Sequence, residues 1–361
     1  MPEDKTLSKL EQETFEIPDL PALPPPDVFA YNELRSCADL YRMQQSGVLN
    51  IQPHFQRDIV WGDAEQTRFI DSLIKQLPIP SMCFGLDYKT QQWQVIDGLQ
   101  RMATIIRFLS DKTWVLSDLN DIDQSIAGQS VFKMKSKKSH LRKYYTRVEN
   151  LTLPINIIRC DASKRDHEEY LFTIFHRLNA GGKKLNNQEI RNCIYSGAFN
   201  DLLRDLVRDK RWEGLVGVKQ GVSDRFRRIE IALRLFAFHD RYKRYESSLA
   251  RFLNSYMKEH RFEKSTLLSE KKALFNSTLN VVERIFEKIP RPTSVSILEG
   301  VLVGISLNLS DLERASPGHA RNLYRQLASH REFSEESLSE GLSKKQRVID
   351  RLSAAEEIFS K

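Results

Sequence analysis

Residues 95–106 read VIDGLQRMATII. An apolar run of strand character ends at Asp97-Gly98, and apolar residues recur at helical spacing from Leu99 onward. The junction has two readings. One is a plain strand-to-helix turn carrying a solvent-facing arginine. The other is a turn that binds phosphate, because a helix N-terminus offers unpaired backbone N–H groups and a partial positive charge. Gly98 lets the backbone approach a ligand, and Arg101 on the first turn can clamp a phosphate oxygen bidentately. Asp97 can hold a metal ion or position water, Gln100 adds a neutral donor and acceptor, and Thr104, one turn on, a hydroxyl. An Asp-Gly pair before a helix is common, so this pattern alone does not separate the two.

The flanks of the junction predict its fold. Residues 63–76 (DAEQTRFIDSLIKQ) have apolar positions at helical spacing, Asp63 as N-cap, and Pro78 and Pro80 to stop the helix. Two strands follow, SMCFGLDY (81–88) and QWQVI (92–96), joined around Lys89-Thr90. The helix opening at Leu99 runs to about Ser110, residues 153–159 form a buried strand, and Arg165 to Leu178 another helix. Upstream, Asn32 to Ser46 reads as helix and Val48 to Ile51 as a short strand. Beyond Asn186 strand signals fade and helical periods dominate. The expected fold is therefore α/β in the first half, with a mixed sheet, and all-helical in the second. Residues 1–30 form a flexible, proline-rich lead (IPDLPALPPPDVF), 31–185 the mixed domain and 186–361 the helical one.

With 361 residues, 40% hydrophobic and 29% charged, the chain is a globular protein with room for a substantial core. The longest apolar stretch, Ser296 to Leu309, contains Glu299 and is too short to span a bilayer. The N-terminus lacks the basic-then-apolar pattern of a signal peptide, and the four cysteines have no paired spacing. A cytoplasmic protein with reduced thiols is expected, with no membrane partner. Residues 1–30 hold seven acidic and two basic side chains, leaving 53 basic against 41 acidic in the rest, a net of +12. So basic a body attracts polyanions, nucleic acid foremost.

Three further stretches carry candidate chemistry. IQPHFQRDIVW (51–61) sets Gln56-Arg57 between aromatic and apolar residues, and Arg57 either pairs with a nearby acid or reaches a ligand. FHRLNAGGKKLNNQEIRN (175–192) ends a helix near Asn179, continues through Gly181-Gly182 and Lys183-Lys184, and restarts with Asn187 as a cap. It is a plain helix C-cap and loop, or a loop lining an anionic ligand. KMKSKKSHLRKYYTR (133–147) holds seven Lys/Arg and no acid, interleaved with Tyr144 and Tyr145. It reads as a solvated loop or as a DNA contact made by Lys135, Lys137, Lys138 and Arg142. Glu230 and Arg234, four apart on one helix face, read as an internal ion pair.

Taken in order, PHFQRDIVW (53–61), PIP (78–80), IDGLQRMAT (96–104), FHRLNAGGKKLNNQEIRN (175–192) and RRIEIALRLFAF (227–238) resemble the GmrS/GmrD-type restriction-endonuclease N-terminal domain of the ParB/sulfiredoxin-like superfamily. The resemblance spans roughly residues 35–260. It implies a ParB-like fold that binds, and hydrolyses, a nucleoside triphosphate (ATP, GTP or CTP) with Mg²⁺. Asp97, Gln100 and Arg101 would form the catalytic set, with Asp97 as metal ligand. Arg57, Gly98, Arg101, Thr104, Asn179, Gly181 and Gly182 would contact the nucleotide. It further implies an antiviral restriction system acting on DNA, including modified phage DNA, in which relatives are fused or paired with an HNH nuclease. No HNH pattern is found here: Asp166-His167 and His176 fall on an amphipathic helix. Cutting would then need a partner subunit in trans, and an oligomer is compatible with such a system. The family's D-G-Q-Q-R is D-G-L-Q-R in this chain, with Leu99 removing one polar contact. Two rival readings stand beside this one: a metal-dependent DNA nickase on the ParB-like fold, and a non-enzymatic DNA-binding regulator switched by nucleotide.

Overall fold

The computed structural model describes residues 24–51, 61–178, 186–217, 222–246, 248–287, 294–339 and 341–361. It divides into two compact units, one formed by residues 21–184 and a second extending from 185 to 361.

The first unit is built on a five-stranded mixed sheet: β1 (Phe29–Ser36), β2 (Leu49–Asn50), β3 (Met82–Asp87), β4 (Gln92–Asp97) and β5 (Thr152–Cys160), in the order β1-β5-β3-β4-β2. The β1/β5 and β3/β4 pairs are antiparallel, while β3/β5 and β2/β4 are parallel. Between the strands lie α1 (Cys37–Gln45), α2 (Asp63–Ile74), α3 (Leu99–Ser110), α4 (Val131–Lys135) and α5 (Arg142–Asn150), and α6 (Arg165–Leu178) follows β5. Alternate residues of the strands, among them Phe84, Val95, Ile155 and Ile157, meet Ile70 and Leu73 of α2, Met102, Ile105 and Phe108 of α3, and Tyr145 and Val148 of α5 in one core. The opposite face meets α6: a Cβ at Gly85 of β3 would lie 3.9 Å from Leu171 of that helix, an ordinary van der Waals contact.

The alternation of strands and helices agrees with the sequence pattern, with local corrections. Residues 32–36 belong to strand β1 rather than to a helix, because the whole of Phe29–Ser36 pairs with Thr152–Arg159. The helix starts only at Cys37, capped by the Ser36 hydroxyl, which accepts from the Asp39 amide at 3.1 Å. Helix α2 is capped by Gly62, and Asp63, expected as its cap, is the first helical residue and accepts from Arg107 at 2.5 Å.

The second unit is helical. Its principal helices are α7 (Asn187–Ile194), α8 (Ala198–Leu206), α9 (Lys210–Val216), α10 (Val222–Arg241), α11 (Leu249–His260), α12 (Ser265–Phe286), α13 (Val295–Leu307), α14 (Leu309–Leu312), α15 (Pro317–Ala328), α16 (Glu335–Ser339) and α17 (Lys345–Phe359). Asn186, not Asn187, caps α7: its side chain accepts from the Glu189 amide, and the Glu189 carboxylate accepts from the Asn186 amide in return. The apolar stretch seen in the sequence is α13, buried within this unit, where Gly304 lets Phe359 and the Ala355 carbonyl approach. No described helix is long and apolar enough to cross a membrane.

Buried charge ties these helices together. Glu230 on α10 accepts from Arg191 of α7 at 2.9 Å and from Arg234, one turn along, at 2.5 Å. Arg234 also reaches Glu299 of α13 at 2.5 Å, and Arg351 of α17 lies 3.7 Å from the other Glu299 oxygen. The Glu230–Arg234 pair is the one read from the sequence. The EIRN and RRIEIALR motifs thus meet through Arg191 and Glu230 in an ionic core.

All four cysteines are buried thiols outside any disulfide. Burial pushes the Cys37, Cys83 and Cys160 thiols up to about 12 and Cys193 also upward, so none has thiolate character at neutral pH.

Candidate functional site

At the junction, Asp97 is the last residue of β4 and pairs in register with Cys83. Gly98 then turns the chain with φ +92° and ψ 18°, in the left-handed region. A Cβ there would also sit 2.5 Å from Cγ of the buried Met82. Conformation and close packing both require glycine. Because Gly98 is the cap of α3, no side chain at that position accepts from the first-turn N–H groups.

Arg101 is held by its own unit. One guanidinium nitrogen donates to Asp97 Oδ2 at 2.9 Å, and another donates to the Pro80 carbonyl in the PIP segment. The Arg101 side chain is 15% exposed and that of Asp97 35%, so the pair reaches solvent mainly through the carboxylate. Burial draws the Arg101 guanidinium below its usual range, opposed by the charge of Asp97. The side chain stays a cation, since arginine is not deprotonated in proteins.

Gln100 acts on the neighbouring segment. Its Oε1 accepts from the Trp61 amide at 3.4 Å, while Gln66 Nε2 donates to the Trp61 carbonyl at 2.9 Å. Arg107 fixes Gln66 in turn with a 2.9 Å hydrogen bond to its Oε1. Trp61, whose ring lies 5.5 Å from that of Phe69, is the last residue of the PHFQRDIVW stretch. Two glutamines therefore dock the end of that stretch beside the start of α3. Sequence reasoning missed Gln66 and the Pro80 carbonyl; only the position of PIP between the motifs hinted at the latter. Arg57 lies outside the described residues, as do Asn179, Gly181 and Gly182.

Thr104 does not face this turn. It is fully buried and its hydroxyl donates to the Gln100 carbonyl at 2.7 Å, satisfying itself within the helix. Leu99 is half-buried and packs against the core. Leu99→Gln is therefore expected to place a polar amide against apolar neighbours and to destabilise the first unit by about 1–3 kcal/mol. Thermal unfolding reads this directly, and an unchanged melting curve would show that the side chain turns outward.

The basic stretch is helical at its two ends, with residues 136–141 between them. Its two helices, α4 and α5, are joined by Arg142, which donates to the Lys135 carbonyl at 2.8 Å and lies over the Tyr145 ring at 4.9 Å. Lys135 donates to the Leu109 carbonyl at 3.2 Å. Lys137 and Lys138 are exposed. The helical histidines have local roles. His167 is buried, with Nδ1 accepting from the Asp161 amide at 3.0 Å and Nε2 2.8 Å from Asp27. His239 meets Ser306 at 3.0 Å, while its neighbour Asp240 bonds Tyr256 and Lys271.

Residues 37–196 match the family model of the GmrSD restriction endonuclease, N-terminal domain. The matched segment is a GmrSD-type N-terminal domain. It runs from the first residue of α1 through strands β2 to β5 and the Asp97–Arg101 turn to just past the end of α7, leaving out β1 and the RRIEIALRLFAF helix. The GmrSD domain thus contains the docked Trp61, the Arg101–Asp97 pair and the capping box of α7. It connects the chain to restriction systems. No curated protein and no solved structure matches.

Proposed function

We propose that this protein is the nucleotide-binding component of a restriction system that acts on DNA in the cytoplasm, and that its first unit has the ParB/sulfiredoxin-like fold. ATP, GTP or CTP would lie at the Asp97–Arg101 turn, its phosphates against the α3 N-terminus. The observation that carries this reading is Arg101, oriented by Asp97 and the Pro80 carbonyl at a helix start with a glycine cap. An arginine fork fixed on two sides needs little reordering to meet a phosphate. Arg57, Asn179 and the Gly181-Gly182 loop would complete the site, with Gln100 holding the Arg57-bearing segment through Trp61.

The residues present fit Mg²⁺ only in part. Asp97 offers one carboxylate, a third exposed, and the described residues contain no group of three His, Cys, Asp or Glu placed to hold a metal. Such a site suits an ion shared with nucleotide phosphates, which Mg²⁺ favours. It suits less well a metal-dependent nickase, whose chemistry needs clustered carboxylates. Nuclease activity would come from a partner, such as an HNH subunit. Because the Asp97 carboxylate is engaged by Arg101, a second reading has support: a DNA-binding regulator in which nucleotide switches conformation without turnover.

Calorimetric titration of the full chain with ATP, GTP and CTP, with and without Mg²⁺, tests the proposal. Binding of one of them at micromolar to millimolar affinity is expected, and no heat from any triphosphate would refute it. Phosphate release under the same conditions then separates hydrolysis from switching.

A further inference from the structure

An open groove of about 630 Å³ runs along α5, and the side chains facing it include Gln76, Arg142, Lys143, Thr146, Arg147 and Asn150. Lys143, Thr146, Arg147 and Asn150 recur at helical spacing, so one face of α5 forms a wall with no acidic residue in the groove lining. We propose that this groove carries DNA-phosphate contacts of the first unit. The inference rests on the restriction-system reading and assigns its DNA contact to a surface.

Side-chain partners distinguish contacting from positioning residues. Lys135 and Arg142 are committed within the fold, to the Leu109 and Lys135 carbonyls and to the Tyr145 ring. Arg142 is further drawn to Glu149 at 3.5 Å. They hold α4 against α5. Lys143 is exposed, its ammonium over the Tyr144 ring at 4.9 Å. Arg147 is exposed and uses one nitrogen to donate to the Ile74 carbonyl at 3.2 Å, leaving the rest of its fork for a ligand. The two cations stand one turn apart, about 6 Å along the helix axis, an arrangement suited to successive phosphates of one strand. Thr146 and Asn150 add neutral polar groups of the kind that bond phosphate oxygens, and none of these residues could read base identity from a backbone contact. The groove is therefore assigned to sequence-independent binding.

The test is fluorescence anisotropy with a labelled single strand and the corresponding duplex, over a range of salt and without nucleotide. Lys143→Ala with Arg147→Ala should weaken binding and lower the log–log salt slope by about two units, one per lost phosphate contact. Lys112→Ala with Lys210→Ala makes the same charge change at exposed residues that do not line the groove, and should leave the slope within about half a unit. Equal slopes for the groove variant and wild type, with both folded by circular dichroism, would overturn the assignment. Displacement of DNA from the wild type by free ATP, but not from the groove variant, would also overturn it, since the groove would then be a nucleotide site. Failure of the wild type to bind any DNA would overturn both this inference and the DNA-acting reading. Retention of triphosphate binding by the groove variant keeps the Asp97–Arg101 proposal separate from either result.

Discussion

Glu230→Gln is expected to lower the stability of the helical unit by about 3–5 kcal/mol, the range for removing one partner of a buried ion pair. Glu230 is the shared acceptor of Arg191 and Arg234, at 2.9 and 2.5 Å. Without its charge, Arg234 and Arg351 would share Glu299 as the remaining carboxylate of the network. Arg191 would keep Asn254 at 2.9 Å and Gln188 at 3.0 Å, both neutral. The pH dependence follows from the same geometry. Burial by itself would raise the Glu230 carboxyl, but the Arg234 and Arg191 guanidiniums outweigh it and hold the group at about 2. An unfolded glutamate titrates near ~4.3. The contribution is therefore complete above that value and is lost as pH falls through about 2. Denaturant unfolding should show a wide gap between wild type and variant at pH 7, narrowing below about pH 4 as the wild type approaches protonation. Coincident midpoints at pH 7 would mean the network is neutral to stability.

What the sequence disclosed depended on the range of the interaction. Glu230 and Arg234 were legible because they lie one turn apart on a single helix. Arg191, Glu299 and Arg351 join them from three other helices, and no local spacing encodes that meeting. The junction at Asp97-Gly98 was legible for the same local reason, since a period-two run changes to helical spacing within three residues and the turn demands glycine. Strand β1 was not. Six of its eight residues read FAYNEL with little apolar alternation, and its identity comes from pairing with β5, far along the chain. The basic stretch was legible as charge but not as geometry: whether a lysine meets solvent or a carbonyl is decided by α3 and Tyr145, outside or at the edge of the motif. Thr104 was misplaced because one helical turn from Gln100 also points toward the core, where its hydroxyl bonds backward.

Arg101→Ala should weaken triphosphate binding by about 10–100-fold, because hydrogen bonds to charged groups contribute about 1.5–3 kcal/mol and each 1.4 kcal/mol is tenfold. The same substitution removes the bonds to Asp97 and the Pro80 carbonyl, so a loss of affinity alone would not separate ligand binding from support of the turn. Two further measurements do. Asp97→Asn keeps the arginine and removes the charge that orients it, so a purely supporting pair predicts similar destabilisation by both variants and unchanged affinity in the folded protein. A phosphate-binding arginine predicts instead that Asp97→Asn retains binding in the absence of Mg²⁺ while Arg101→Ala does not. The second measurement is thermal unfolding with and without the triphosphate identified by calorimetry. A ligand present at a hundred times its Kd stabilises the folded state by about 2.7 kcal/mol, a shift the wild type should display and Arg101→Ala should largely lose at the same concentration. Arg101→Lys sharpens the point: it preserves the charge but not the planar fork, so its affinity should fall between the two if the contact to phosphate is bidentate. An Arg101→Ala protein that is folded, shows the full ligand-induced shift and binds as tightly as wild type would return Asp97–Arg101 to the status of a helix-start ion pair.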